Sequence, residues 1–126
     1  MRTITITIGN ISIRAELFDT PTADTIYAAL PFDAGANTWG DEVRFSTPVN
    51  VGLEPDDRDV VEAGELAFWV EDDSIAIGFG PTPISQGDEI RLAARTNIWG
   101  QALDDVYQLK SVSSGAAIHV QAGGAQ

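Results

Sequence analysis

The stretch Thr3-Ile4-Thr5-Ile6-Thr7-Ile8-Gly9-Asn10-Ile11-Ser12-Ile13-Arg14-Ala15-Glu16-Leu17 decides the fold class. Apolar and polar residues alternate on both sides of Gly9-Asn10, which is the strand period. Gly-Asn between two such runs is a two-residue hairpin signal. Folding about that turn sets Ile8 against Ile11, Ile6 against Ile13 and Ile4 against Ala15 on one face. The other face pairs Thr7 with Ser12, Thr5 with Arg14 and Thr3 with Glu16. A slip of one residue would turn every isoleucine to the wrong side, so the pattern fixes the register.

Downstream of the hairpin, Asp19-Thr20-Pro21-Thr22-Ala23-Asp24-Thr25-Ile26-Tyr27-Ala28-Ala29-Leu30-Pro31 changes period. Thr20 is a good N-cap and Pro21 suits the first helical position. Ala23, Ile26, Tyr27 and Leu30 follow at helical spacing until Pro31 stops the run. One short helix is therefore expected near residues 21–30, placed to plug a barrel end. The remainder reads as strands near residues 43–46, 66–70, 74–79, 89–94, 106–109 and 116–121, separated by Asp-, Gly- and Pro-rich turns. Short strands at this spacing predict a mainly β fold, a closed barrel of largely antiparallel strands with one helix at an end. The barrel domain is expected over residues 1–121, with 122–126 a frayed tail.

With 126 residues the chain is one ordinary domain. It has no cysteine, which excludes disulfides and thiolate metal sites. The opening residues alternate and so do not read as a signal peptide, and no apolar run is long enough for a membrane helix. A cytoplasmic location without membrane association is expected. The net charge of −12, with Lys110 the one lysine, opposes phosphate binding, so nucleic acid is not an expected partner. The acidity reads either as a solubilising surface or as adaptation to a salty cytoplasm.

Two further stretches, Ala36-Asn37-Thr38-Trp39-Gly40-Asp41-Glu42 and Gly78-Phe79-Gly80-Pro81-Thr82-Pro83-Ile84-Ser85, resemble the signatures of the small prokaryotic cyclophilin-like proteins. Gly9-Asn10 and Asp19-Thr20-Pro21-Thr22 fit the same family's opening. The resemblance covers nearly the whole chain. It implies a cyclophilin-like β-barrel with an unassigned role, no cofactor and no established catalytic residues.

The residues themselves support only limited chemistry. Prolyl isomerisation needs an apolar pocket and a donor, commonly a guanidinium, that favours the twisted amide. The Phe-Met-x-Gln stretch that follows the arginine in true cyclophilins is absent, and the single methionine is Met1. Arg44 is the candidate arginine, but alternation turns it outward with Glu42 and Ser46 while Val43 and Phe45 face the core. It reads as an exposed arginine paired with a nearby acid, and Arg91 and Arg95 read likewise.

Trp69 is opposite in parity to Leu66, Phe68 and Val70 and so faces outward, where a large ring marks a binding surface. Trp39, Phe79 and Trp99 lie near turns, as cleft walls or as barrel-end plugs. Pro81 and Pro83 stiffen the Gly-Pro loop that carries Thr82, and the loop is either a cleft wall or a corner. Glu42 is the best candidate for a functional acid, and Asn97 sits beside Trp99 near a strand end. These eight residues, Trp39, Glu42, Trp69, Phe79, Pro81, Thr82, Asn97 and Trp99, form the candidate ligand cleft, with no metal and no cofactor expected.

Asp56-Asp57-Arg58-Asp59 lacks the spacing of a calcium loop. His119, the one histidine, has no nucleophile beside it. The leading functional expectation is a non-enzymatic module that binds a peptide or small ligand. The alternatives are a prolyl isomerase with a divergent site, and a subunit or partner of a larger enzyme.

Overall fold

A computed structural model describes residues 2–123. Ten strands form one antiparallel sheet: β1 (Thr3–Ile8), β2 (Ile11–Leu17), β3 (Phe32–Gly35), β4 (Asn37–Thr38), β5 (Glu42–Ser46), β6 (Arg58–Val61), β7 (Glu65–Trp69), β8 (Ser74–Gly78), β9 (Ile90–Ala102) and β10 (Ala117–Ala122). The strand order is β3-β10-β1-β2-β9-β7-β8-β5-β4, with β6 added to β9. The β1–β2 register has all six pairs expected from the alternation, from Thr3 opposite Glu16 to Ile8 opposite Ile11. The sheet curls into a barrel that is nearly closed rather than closed. Among the described residues no backbone ladder joins β3 to β5, so a seam remains there.

The helix α1 (Pro21–Ala29) is capped as its sequence demands. The Thr20 hydroxyl accepts from the Ala23 N–H at 3.1 Å, and Pro21 occupies the first turn. Thr22, Ala23 and Ile26 are buried, and Ala23 and Ile26 join the core cluster built on Ile4, Ile6, Ile8, Ile13, Leu66, Phe68 and Trp99.

Several elements depart from the sequence expectation. Residues 106–109 are not a strand but part of a 3-10 helix, Val106–Ser111. The Asp105 carboxylate accepts from the Tyr107 N–H at 2.9 Å, and Val106 and Leu109 are both buried. A spacing of three places both side chains on one side of a 3-10 turn. A second such turn, Val70–Asp72, cuts short the strand expected through residue 70. Strand β10 runs to Ala122, and Gly123 is tied to β1 through its N–H to the Thr3 carbonyl and the Thr5 hydroxyl to its own carbonyl. The expected tail is thus paired through residue 123, and residues 124–126 lie outside the described part of the chain.

The largest departure concerns β9. It is 13 residues long and serves two layers. Asn97 and Trp99 point into the barrel, and Trp99 is the unpaired residue of a bulge between Gly100 and Ile98 opposite Leu66 and Ala67. Ile90 and Leu92, in the first half, pack with Val61, Ala67 and Ala76 in a second, smaller apolar cluster. That cluster covers the outer face of β7 and β8. A Cβ at Gly78 would come within 2.5 Å of Ile90 Cγ2, so a glycine at this position lets the second layer seat closely.

Candidate functional site

The second layer changes what an outward-pointing residue meets. Arg44 on β5 does point outward, as alternation requires, and it lies opposite Ala76 of β8. Ala76 in turn lies opposite Ala67 of β7. Ala76 leaves a low floor between the larger side chains at each side. On one side stand Glu42 and Arg44 of β5, and on the other Trp69 at the end of β7. Leu92, Ala93, Ala94 and Thr96 of β9 complete the wall. The enclosed cavity is small, about 10 Å³ measured to the centre of a water-sized sphere. That is room for roughly one water.

Arg44 is held by two aromatic faces. Its guanidinium carbon lies 4.9 Å from the Trp69 ring centroid and 5.5 Å from that of Trp39. Both distances are in the cation–π range. The expectation of an exposed arginine therefore needs correcting: the Arg44 side chain is only 18% exposed. Its acid partner is Glu42, with Nε 3.4 Å from Oε1, but the geometry makes no hydrogen bond.

Glu42 is 2% exposed, and its Oε1 has no hydrogen-bond partner. Burial raises its pKa from an ordinary glutamate value to about 7, outweighing the opposite pull of Arg44. The Trp69 indole N–H is likewise buried without a partner. Two unpartnered polar atoms, and a guanidinium without a hydrogen bond among the described residues, thus belong to residues lining one small recess. Native proteins leave few buried polar atoms unpaired, and such atoms call for an explanation.

Trp39 reaches this place through a tight hairpin. Gly40-Asp41 forms the two-residue loop, closed by the Trp39 N–H to the Glu42 carbonyl at 3.1 Å, with Gly40 at φ +59°. The loop packs on the Gly-Pro segment: the Asp41 N–H donates to the Pro81 carbonyl and the Phe79 N–H to the Asp41 carbonyl. The two signature stretches are therefore in direct contact. A Cβ at Gly80 would meet Asp41 Oδ2 at 2.4 Å, so the close approach served by that glycine is to the hairpin.

The eight candidate residues separate into groups. Trp39, Glu42 and Trp69 come together around Arg44. Phe79 and Trp99 are buried in the main core, 4% and 0% exposed. Thr82 is buried beneath the loop, with its hydroxyl donating to the Arg91 carbonyl, while Pro81 is exposed. Asn97 belongs to a different network. Its amide donates to the Thr22 hydroxyl and to the Gly52 carbonyl, each at 2.9 Å, and its carbonyl accepts from the Glu54 N–H. Leu92 and Ala94, which alternation alone does not single out, line the cavity because the first half of β9 lies in the outer layer over β7 and β8. The other arginines are spoken for: Arg91 bridges Glu89 and Asp59, and Arg95 pairs with Asp57. Among the described residues no group of three or more His, Asp or Glu is placed to hold a metal ion, and no helix is long and apolar enough to cross a membrane.

Strand order, a nearly closed antiparallel barrel and one short α-helix define a small barrel of the cyclophilin type. The chain belongs to the cyclophilin-like family, whose model matches residues 2–121. It is similar in structure to the hypothetical protein AF2241 of Archaeoglobus fulgidus, known from a solution structure, with a TM-score of 0.81. The two share 34% sequence identity over 95% of this chain and 93% of that one. No curated protein sequence matches the chain.

Proposed function

We propose that the chain is a binding module that captures a peptide or small molecule at the outer wall of the barrel, over Trp39, Glu42, Arg44 and Trp69. One observation carries this reading: Glu42, whose buried Oε1 has no partner, lines a recess together with Arg44, a stacked guanidinium that makes no hydrogen bond among the described residues. Two tryptophan rings supply apolar area at low entropic cost, as recognition surfaces commonly do. A larger concavity of about 460 Å³ lies beside Arg2, Glu16, Leu17, Phe18 and Asp19, but it is open and no unpartnered buried polar atom belongs to it. Polar groups that converge in a partly apolar recess make the better site.

The reading favours binding over catalysis. Arg44 is stacked against two indole faces and the recess of about 10 Å³ takes only an atom-sized group, so the body of a ligand rests on the outer wall. The test is equilibrium binding of a panel of short peptides and small acyl compounds to the protein and to its Arg44→Ala and Trp69→Ala variants. Binding that weakens at least tenfold in both variants supports the site. Undiminished binding in both places the ligand elsewhere.

A further inference from the structure

Resting on that reading, we infer that the ligand group recognised here is a carboxylate, held by the Arg44 guanidinium and by a hydrogen bond from the Glu42 carboxyl. Arg44 is a largely desolvated cation whose N–H groups make no hydrogen bond among the described residues. Such a cation calls for an anion, and the planar guanidinium fork matches the planar carboxylate in a way it does not match a neutral amide. The cavity has room for one oxygen atom, which suits one arm of a carboxylate better than the bulk of a phosphate. A net charge of −12 also disfavours a dianion more than a monoanion.

Glu42 decides whether the anion is welcome. Neutral, its carboxyl O–H donates a hydrogen bond to the incoming carboxylate; ionised, it repels the ligand and competes for Arg44. Arg44 on the same strand is the one charged side chain lining the cavity with it. The lining residues from the neighbouring strands, Trp69, Ala76, Leu92, Ala93, Ala94 and Thr96, carry no charge. Because Glu42 titrates near 7, binding above neutrality takes up one proton. The site therefore couples carboxylate capture to pH.

The experiment titrates the protein with benzoate and butyrate, and with an N-acetylated tripeptide bearing a free C-terminus. Each is compared with its neutral amide, by isothermal calorimetry between pH 6 and 9. The acids are expected to bind, with Kd rising about tenfold per pH unit above 7, and the amides to bind at least tenfold more weakly. A preference for butyrate and benzoate identifies free acids as the source, and a preference for the tripeptide identifies a chain terminus. Glu42→Gln, whose amide donates at every pH, removes the pH dependence. Amides binding as well as acids, or a Kd flat across the range, overturns the carboxylate assignment and leaves the binding site standing. Binding of neither class overturns the site itself.

Discussion

Glu42 Oε1 lies 3.4 Å from Arg44 Nε on the same face of one strand, yet neither atom hydrogen-bonds the other. The pair is held apart in function, with the arginine bound to tryptophan faces and the acid buried. That geometry leads to a stability effect of definite sign. Folding raises the Glu42 pKa from 4.5 to about 7, so between those values the folded state holds a proton that the unfolded state has lost. Stability therefore falls as pH rises through this window and stays lower above it. The cost above pH 7 is on the order of 3 kcal/mol. Glu42→Gln is expected to match the parent in urea unfolding at pH 4.5 and to exceed it at pH 8. Equal differences at both pH values would contradict this.

The main barrel was legible in the sequence because its information is local. Ile4 to Ile13 alternate through one two-residue turn, and Thr20-Pro21 marks a helix start. The site was only partly legible. Alternation put Glu42, Arg44 and Trp69 on the outer face, and that face is where they lie. What alternation lacks is any account of which outer faces are covered. The cover comes from Ile90 and Leu92, far along the chain, in a strand that passes from the outer layer into the barrel wall at Asn97 and Trp99. The turn at 106–109 was misread for a related reason: Val106 and Leu109 fit a strand reading by residue type, and only the Asp105 cap reveals the 3-10 turn.

The two signature stretches owe their glycines to packing, and Gly40 tests this. Gly9 and Gly40 both have left-handed backbone, φ +60° and +59°, but only Gly40 is crowded. A Cβ there would lie 2.9 Å from Thr82 Cα and from Pro83 Cδ. Gly9→Ala is expected to cost about 1–2 kcal/mol from conformation alone, and Gly40→Ala roughly twice that. Chemical denaturation of the two variants makes the comparison. Equal costs would mean that the hairpin moves freely against the Gly-Pro loop.

Asn97 is expected to act on stability and not on binding. It is fully buried and ties α1, the Gly52–Glu54 segment and β9 together. Asn97→Ala leaves buried partners unsatisfied and is expected to cost about 3 kcal/mol, with ligand affinity at the Arg44 site unchanged. A large loss of affinity at full stability would move Asn97 into the site.

Prolyl isomerisation is expected to be absent. Arg44 offers a guanidinium, but it is stacked against the Trp39 and Trp69 rings, and the uncatalysed reaction already runs in tens to hundreds of seconds. An exchange assay on a Xaa-Pro peptide at micromolar protein is expected to give the uncatalysed rate. Acceleration that disappears in Arg44→Ala would make this outer wall a catalytic site.

Ligand is expected to meet the protein at the outer wall between β5 and β7. The three indole N–H resonances report on this separately, because Trp39 and Trp69 flank Arg44 while Trp99 is sealed in the core, 0% exposed. Titration of ¹⁵N-labelled protein with benzoate at pH 6 is predicted to shift the Trp39 and Trp69 indole signals together, saturating with one Kd, and to leave Trp99 in place. Saturable shifts confined to Leu17, Phe18 and Asp19, with both outer indoles unmoved, would contradict the account.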